Sequence, residues 1–83
     1  MGVALFTDRG TFVVGSRVKD LLAEEHEGVV VAIHSRHPRY AEIMRSLHED
    51  SPKAKVLAEP HLTVKFDQLV ELYILPSGDL NLL

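Results

Sequence analysis

The sequence predicts a single α+β domain over residues 1–83, with an α/β-like middle. The expected architecture is a two-layer sandwich, a mixed sheet with two helices, in the order β-β-α-β-α-β-β-β. Three observations lead there. Residues 3–14 carry two short apolar runs around "TDRG", a hairpin signal. Residues 29–33, "VVVAI", form an unbroken apolar run that suits a central strand covered on both sides. Two stretches with helical spacing, after Ser16 and after Pro38, flank that run.

Taken in order, residues 3–7 read as a strand. Asp8 and Gly10 supply the turn, and residues 11–14 the return strand. Gly15 and Ser16 stop it. Ser16 suits an N-cap, because its hydroxyl accepts a bond from an unpaired backbone N–H. Val18, Leu21 and Leu22 then recur at helical spacing, so residues 17–26 predict a short amphipathic helix ended by Gly28. After the central strand, Pro38 pushes His37 out of the α region, which makes His37 the expected cap and Pro38 the first helical residue. Tyr40, Ile43, Met44 and Leu47 form the apolar stripe of a helix reaching Asp50. Residues 55–58 predict a short strand, 62–66 an alternating one, 69–75 another, and 80–83 a last short one after the turn "PSGD". In the middle, residues 11–58, the β-α-β-α-β rhythm predicts parallel pairing with helical crossovers.

Composition narrows the function classes. An 83-residue chain with 46% hydrophobic residues is one small globular domain. Such a domain buries a modest share of its surface, so its stability is expected to lean on self-association. Without cysteine there is neither a disulfide nor a thiolate metal site to help. No apolar run reaches the ~18 residues needed to span a membrane. Residues 1–10 lack the basic start and apolar length of a secretion signal, and Phe6 stands where a myristoylation motif needs Ser or Thr. A soluble, cytoplasmic protein is the expectation. The scarcity of Asn, Gln and Met (Asn81, Gln68, and Met44 beside Met1) points toward heat resistance.

Net charge is -3, which disfavours a general nucleic-acid binder. Yet residues 36–58 hold five bases, Arg36, Arg39, Arg45, Lys53 and Lys55, against three acids. No aromatic RNA-binding pattern accompanies them. A small anion remains a candidate partner.

Candidate chemistry concentrates in "HSRHPR". If the middle strands were parallel, their carboxyl ends would converge, and ligands gather at such ends. Ser16 and Arg17 would come from one end, His34, Ser35, Arg36, His37 and Arg39 from the second, and His61 from the third, beside Glu59. Helix N-termini aimed there would suit a phosphate- or carboxylate-bearing compound. The plain structural alternative is that Ser35 and His37 cap a helix while Arg36 and Arg39 are solvated. His34 and His37 with Glu59 or His61 could be drawn as a metal site, but the spacing does not require convergence, and no HExxH occurs. No metal or other cofactor is called for. A nucleophile assembled from Ser16 or Ser35, a histidine and Glu59 is equally drawable and equally unforced.

The C-terminal segment suggests another class of function. Leu69, Tyr73 and Leu75 fall on one strand face, and Val70, Leu72 and Ile74 on the other. Two helices do not easily cover both faces along the whole sheet, the alternative being one helix on each face and a complete monomer. An uncovered apolar face or edge needs a partner, most simply a second copy of the chain. The sequence thus favours a small binding, regulatory or accessory module acting as a homo-oligomer through Tyr73 and Leu75. The alternative is a small enzyme or ligand sensor taking an anion at residues 34–39, and whether any reaction is catalysed stays open at this level.

Overall fold

A β-turn at Asp8–Arg9 brings the first two strands together, and the chain builds outward from that hairpin. In the computed structural model, which describes residues 3–21 and 26–83, β1 (Ala4–Thr7) pairs antiparallel with β2 (Gly10–Val13), Leu5 opposite Phe12. Gly10 has φ 129°, a conformation open mainly to glycine. The Thr7 hydroxyl locks the turn by donating to the Gly10 carbonyl at 2.8 Å and accepting the Arg9 N–H at 3.2 Å.

The remaining strands are β3 (Arg17–Asp20), β4 (Glu27–His34), β5 (His61–Phe66), β6 (Leu72–Pro76) and β7 (Leu80–Leu82). They form one sheet in the order β6-β5-β4-β3-β7. Every pairing in it is antiparallel. Two short helices, α1 (Tyr40–Met44) and α2 (Pro52–Leu57), interrupt the connection from β4 to β5.

The expected two-layer sandwich with a parallel middle is therefore corrected: the molecule is mostly sheet with little helix. Three local differences make up the correction. Around Val18 the residues alternate, Val18 buried and Arg17 and Lys19 on the opposite face, so a period of two fits 17–20 as well as helical spacing does. The stretch expected as a helix at 17–26 is β3 as far as Asp20; residues 22–25 lie outside the described residues. The helix expected to run to Asp50 stops at Met44. The strand expected at 55–58 is instead the end of α2, started by Ser51, whose hydroxyl accepts the Ala54 N–H at 3.1 Å, with Pro52 in the first turn. Without a helical crossover from β2 to β4, the strands meet as sequential antiparallel neighbours.

One connection forces the sheet to curl. β6 and β7 lie at opposite edges, yet only a three-residue 3₁₀ turn, Ser77–Asp79, joins them. Four Cα steps reach at most about 14 Å. Four strand spacings in a flat sheet are about 19 Å. The sheet must bend its edges toward each other. Its concave side holds Phe12, Val18, Val30, Leu62, Val64, Phe66 and Leu80, with Leu5, Ile33, Leu69, Leu75 and Leu82 packed against them. Arg9 then ties the hairpin to the last strand and the turn before it: its guanidinium donates to the Leu80 carbonyl (2.8 Å), Asn81 Oδ1 (2.9 Å) and the Ser77 carbonyl (2.8 Å).

The all-apolar run 29–33 follows from a bulge. The β4–β5 register shifts between Val30 and Ala32. Val30 and Ile33 thereby both face the core, although three positions apart, while Val29 and Ala32 take the other face. Among the described residues, no helix is long and apolar enough to cross a membrane.

Candidate functional site at the β4–β5 corner

Strand register brings the histidines together. His34 ends β4, His61 begins β5, and the two are direct partners. Alternation along β5 puts His61, Thr63 and Lys65 on the face opposite Leu62, Val64 and Phe66. His34 Nε2 meets Thr63 Oγ1 at 2.8 Å. His61 is only 2% exposed, and its Nδ1 donates to the Glu59 carbonyl at 2.8 Å.

The third imidazole comes from the connection between these strands. The His37 N–H donates to the Leu57 carbonyl at 2.9 Å, fastening the start of the connection to the end of α2. Its ring stands edge-on to that of His61, centroids 5.0 Å apart and planes at 80°. Its Nδ1 accepts the Arg39 N–H at 3.0 Å in the turn before α1. This fixes a neutral ring with its proton on Nε2. The helix starts at Tyr40 with Arg39 as its N-cap and no capping side chain, so His37 is not the cap and Pro38 not the first helical residue. Burial holds the His37 pKa below its usual value, helped by the positive influence of His61, Arg39 and His34.

The two loop arginines are engaged locally. Arg39 makes a two-pronged pair with Glu42, at 2.9 and 2.7 Å, which lowers the Glu42 pKa and raises that of Arg39. Arg36 lies over the Tyr40 ring, 4.5 Å from its centre. Ser35 is exposed.

Of the residues singled out by sequence, His34, Ser35, Arg36, His37, Arg39 and His61 thus share this corner. Ser16 and Arg17 do not. The Ser16 hydroxyl accepts the Val13 N–H at 2.9 Å inside the turn before β3. Arg17 pairs with Val29 in register and grips Asp67 at 2.9 and 2.6 Å, with Glu27 at 3.8 Å. The bond to Arg17 holds the Asp67 carboxyl below its ordinary range. The convergence of three carboxyl strand ends required parallel strands, and every strand pairing among the described residues is antiparallel. Thr63 is the site neighbour that sequence reasoning missed. Alternation from His61 would have placed it on the same face. Glu59 contributes its carbonyl to His61. No group of three or more His, Cys, Asp or Glu side chains is arranged to hold a metal ion among the described residues.

A second feature is the edge strand β6. Leu75 packs against the core, whereas Leu72 (58% exposed) and Ile74 (39%) stand on the outer face, opposite Lys65 and Thr63. Tyr73, on the core side, remains partly exposed and meets the edge of Phe66, ring centroids 5.9 Å apart. Val70, before the strand, is almost wholly exposed. The outer apolar face available to a partner is therefore carried by Leu72 and Ile74; Tyr73 is exposed from the core side, and Leu75 belongs to the interior.

No protein-family model, no curated protein and no solved structure matches the chain.

Proposed function

We propose that the chain is a small binding or accessory module that works as a homo-oligomer, joined through the free edge of β6. The observation that carries this reading is the exposed run Leu72, Tyr73, Ile74 on an edge strand. Edge strands of monomers are commonly blunted by an internal lysine, a proline or a bulge. β6 has none of these before Pro76 at its end, and its pairing with β5 is regular throughout. A second copy is the simplest occupant, because antiparallel pairing of β6 with itself across a two-fold axis is self-complementary. It would merge two five-stranded sheets into one. Leu72 and Ile74 of both copies would then form one apolar strip.

Ile74→Lys tests the reading. Ile74 points outward, so the change should alter the stability of the isolated chain by only about 0.5 kcal/mol. In the joined sheets it would set like charges close together across the axis. Sedimentation velocity at micromolar concentration should show a dimer for the native chain and a folded monomer for Ile74→Lys. A native chain that sediments as a monomer would overturn the proposal. So would an Ile74→Lys dimer as tight as the native one.

A further inference from the structure

We propose that the His37–His61 corner is a proton-operated latch, closed while His37 is neutral and holding the 35–60 connection against β4 and β5, and released when His37 takes up a proton. The connection is closed on itself by the His37 N–H on the Leu57 carbonyl, turned into α1 by the His37 Nδ1 acceptor, and set against β5 by the His37 ring on buried His61. Only a neutral imidazole can accept the Arg39 N–H at Nδ1. A second proton sits on that same nitrogen. It removes the acceptor and sets N–H against N–H at 3.0 Å.

The new charge also has unfavourable surroundings. His61 from β5, Arg39 from the loop and His34 from β4 all act against a positive charge on His37. The Glu42 carboxylate of α1 is held by Arg39. α2 and the segment after it present the backbone carbonyls of Leu57 and Glu59, one taken by the His37 N–H and the other by His61. The positive Arg36 group rests on Tyr40. Within the connection, Ala54 and Leu57 of α2 are buried, although neither belongs to the main core cluster. Release would bring them to the surface.

The direction of the pH effect follows from linkage. The closed state holds His37 below the value of a free imidazole, so the closed state binds fewer protons than the open one. Closure is therefore fully favoured above about pH 6.5 and weakens as pH falls from there toward the pKa of the closed state. Within that window, one proton raises the open-to-closed ratio by up to about tenfold per pH unit, and below it the effect levels off.

Hydrogen exchange by mass spectrometry on the whole chain tests this at about pH 7.5 and about pH 5, with exchange times scaled for the intrinsic rate. Peptides from 35–60 should lose protection in acid, while those covering Val18, Val30 and Val64 keep theirs. His37→Asn is the diagnostic variant. An asparagine oxygen can accept the N–H two residues on but does not titrate. The variant should therefore stay closed at both pH values. The same acid loss in native chain and His37→Asn, or an even loss across all strands, would overturn the proposal. If His37→Asn fails to fold, ring and amide NMR on the native chain decides. The His37 titration midpoint must coincide with amide changes at Arg39 and across 52–58. A His37 ring that titrates while those amides stay still overturns the latch.

Discussion

Phe12→Ala is expected to destabilise the chain by about 3–5 kcal/mol, the range for truncating a fully buried aromatic side chain. Phe12 is 0% exposed and is the one fully buried side chain of the β1–β2 hairpin; Thr11 and Val13 beside it are exposed. The hairpin sits outside the five-stranded sheet, so Phe12 is its main apolar hold on the concave side. Leu5, opposite Phe12 in register, cannot fill the gap without lifting the hairpin from Val18 and Leu80. A chain of this length has about 4–12 kcal/mol of stability in all. The variant should melt about 15 °C or more below the native chain, or be unfolded at room temperature. Thermal unfolding followed by circular dichroism checks it. A drop of only a few degrees would mean that the hairpin is not part of the core.

Gly28→Ala should follow closely, at about 3 kcal/mol, the upper part of the range for overpacking. Gly28 lies in β4 between Val18 of β3 and Phe66 of β5. A Cβ there would stand 2.6 Å from the Lys65 carbonyl oxygen, 2.9 Å from Phe66 Cα and 3.0 Å from Val64 Cγ1. Two of these obstacles are backbone, which cannot swing aside as a side chain can. Relief requires β4 and β5 to separate where the aromatic end of the core packs. Gly78 is the natural control, since a Cβ there meets nothing within 4 Å. Gly78→Ala should leave the urea midpoint almost unchanged, while Gly28→Ala lowers it strongly. Equal midpoints for the two variants would contradict the close packing of β4 on β5.

Much of the strand pattern was legible in the residues. The hairpin around Asp8–Gly10, the central strand, the alternating strand at 62–66, the next strand and the last short one all fall close to where β-branched content and turn residues put them. The pairing was not legible, because four residues such as Arg17 to Asp20 satisfy two periods at once. Assigning that stretch to a helix turned neighbours into crossovers and antiparallel strands into parallel ones. The bulge beyond Val30 compounded this, since it lets an all-apolar strand have one core face without helices on both sides. Ser51-Pro52 was a readable helix start. At the corner, the sequence order of His34, His37 and His61 suggested a cluster for a reason that did not hold. Antiparallel register, which pairs His34 directly with His61, assembles it. The Arg39–Glu42 and Arg36–Tyr40 contacts are spacings of three and four residues that sequence could have flagged as local partners. Arg17–Asp67 spans fifty residues and needed the fold.

The proposed edge-to-edge assembly of β6 can be read from amide hydrogen exchange measured across a dilution series. Exchange of those 72–75 backbone N–H groups that point away from β5 should slow as protein concentration rises through the micromolar range, because pairing with a second β6 supplies the hydrogen bonds that the free edge lacks. β7, the opposite edge, pairs with β3 and is braced by Arg9, so its exchange should not depend on concentration. Protection that rises with concentration in β6 and stays constant in β7 is the predicted result. Exchange from β6 that is the same at every concentration would overturn the proposed assembly.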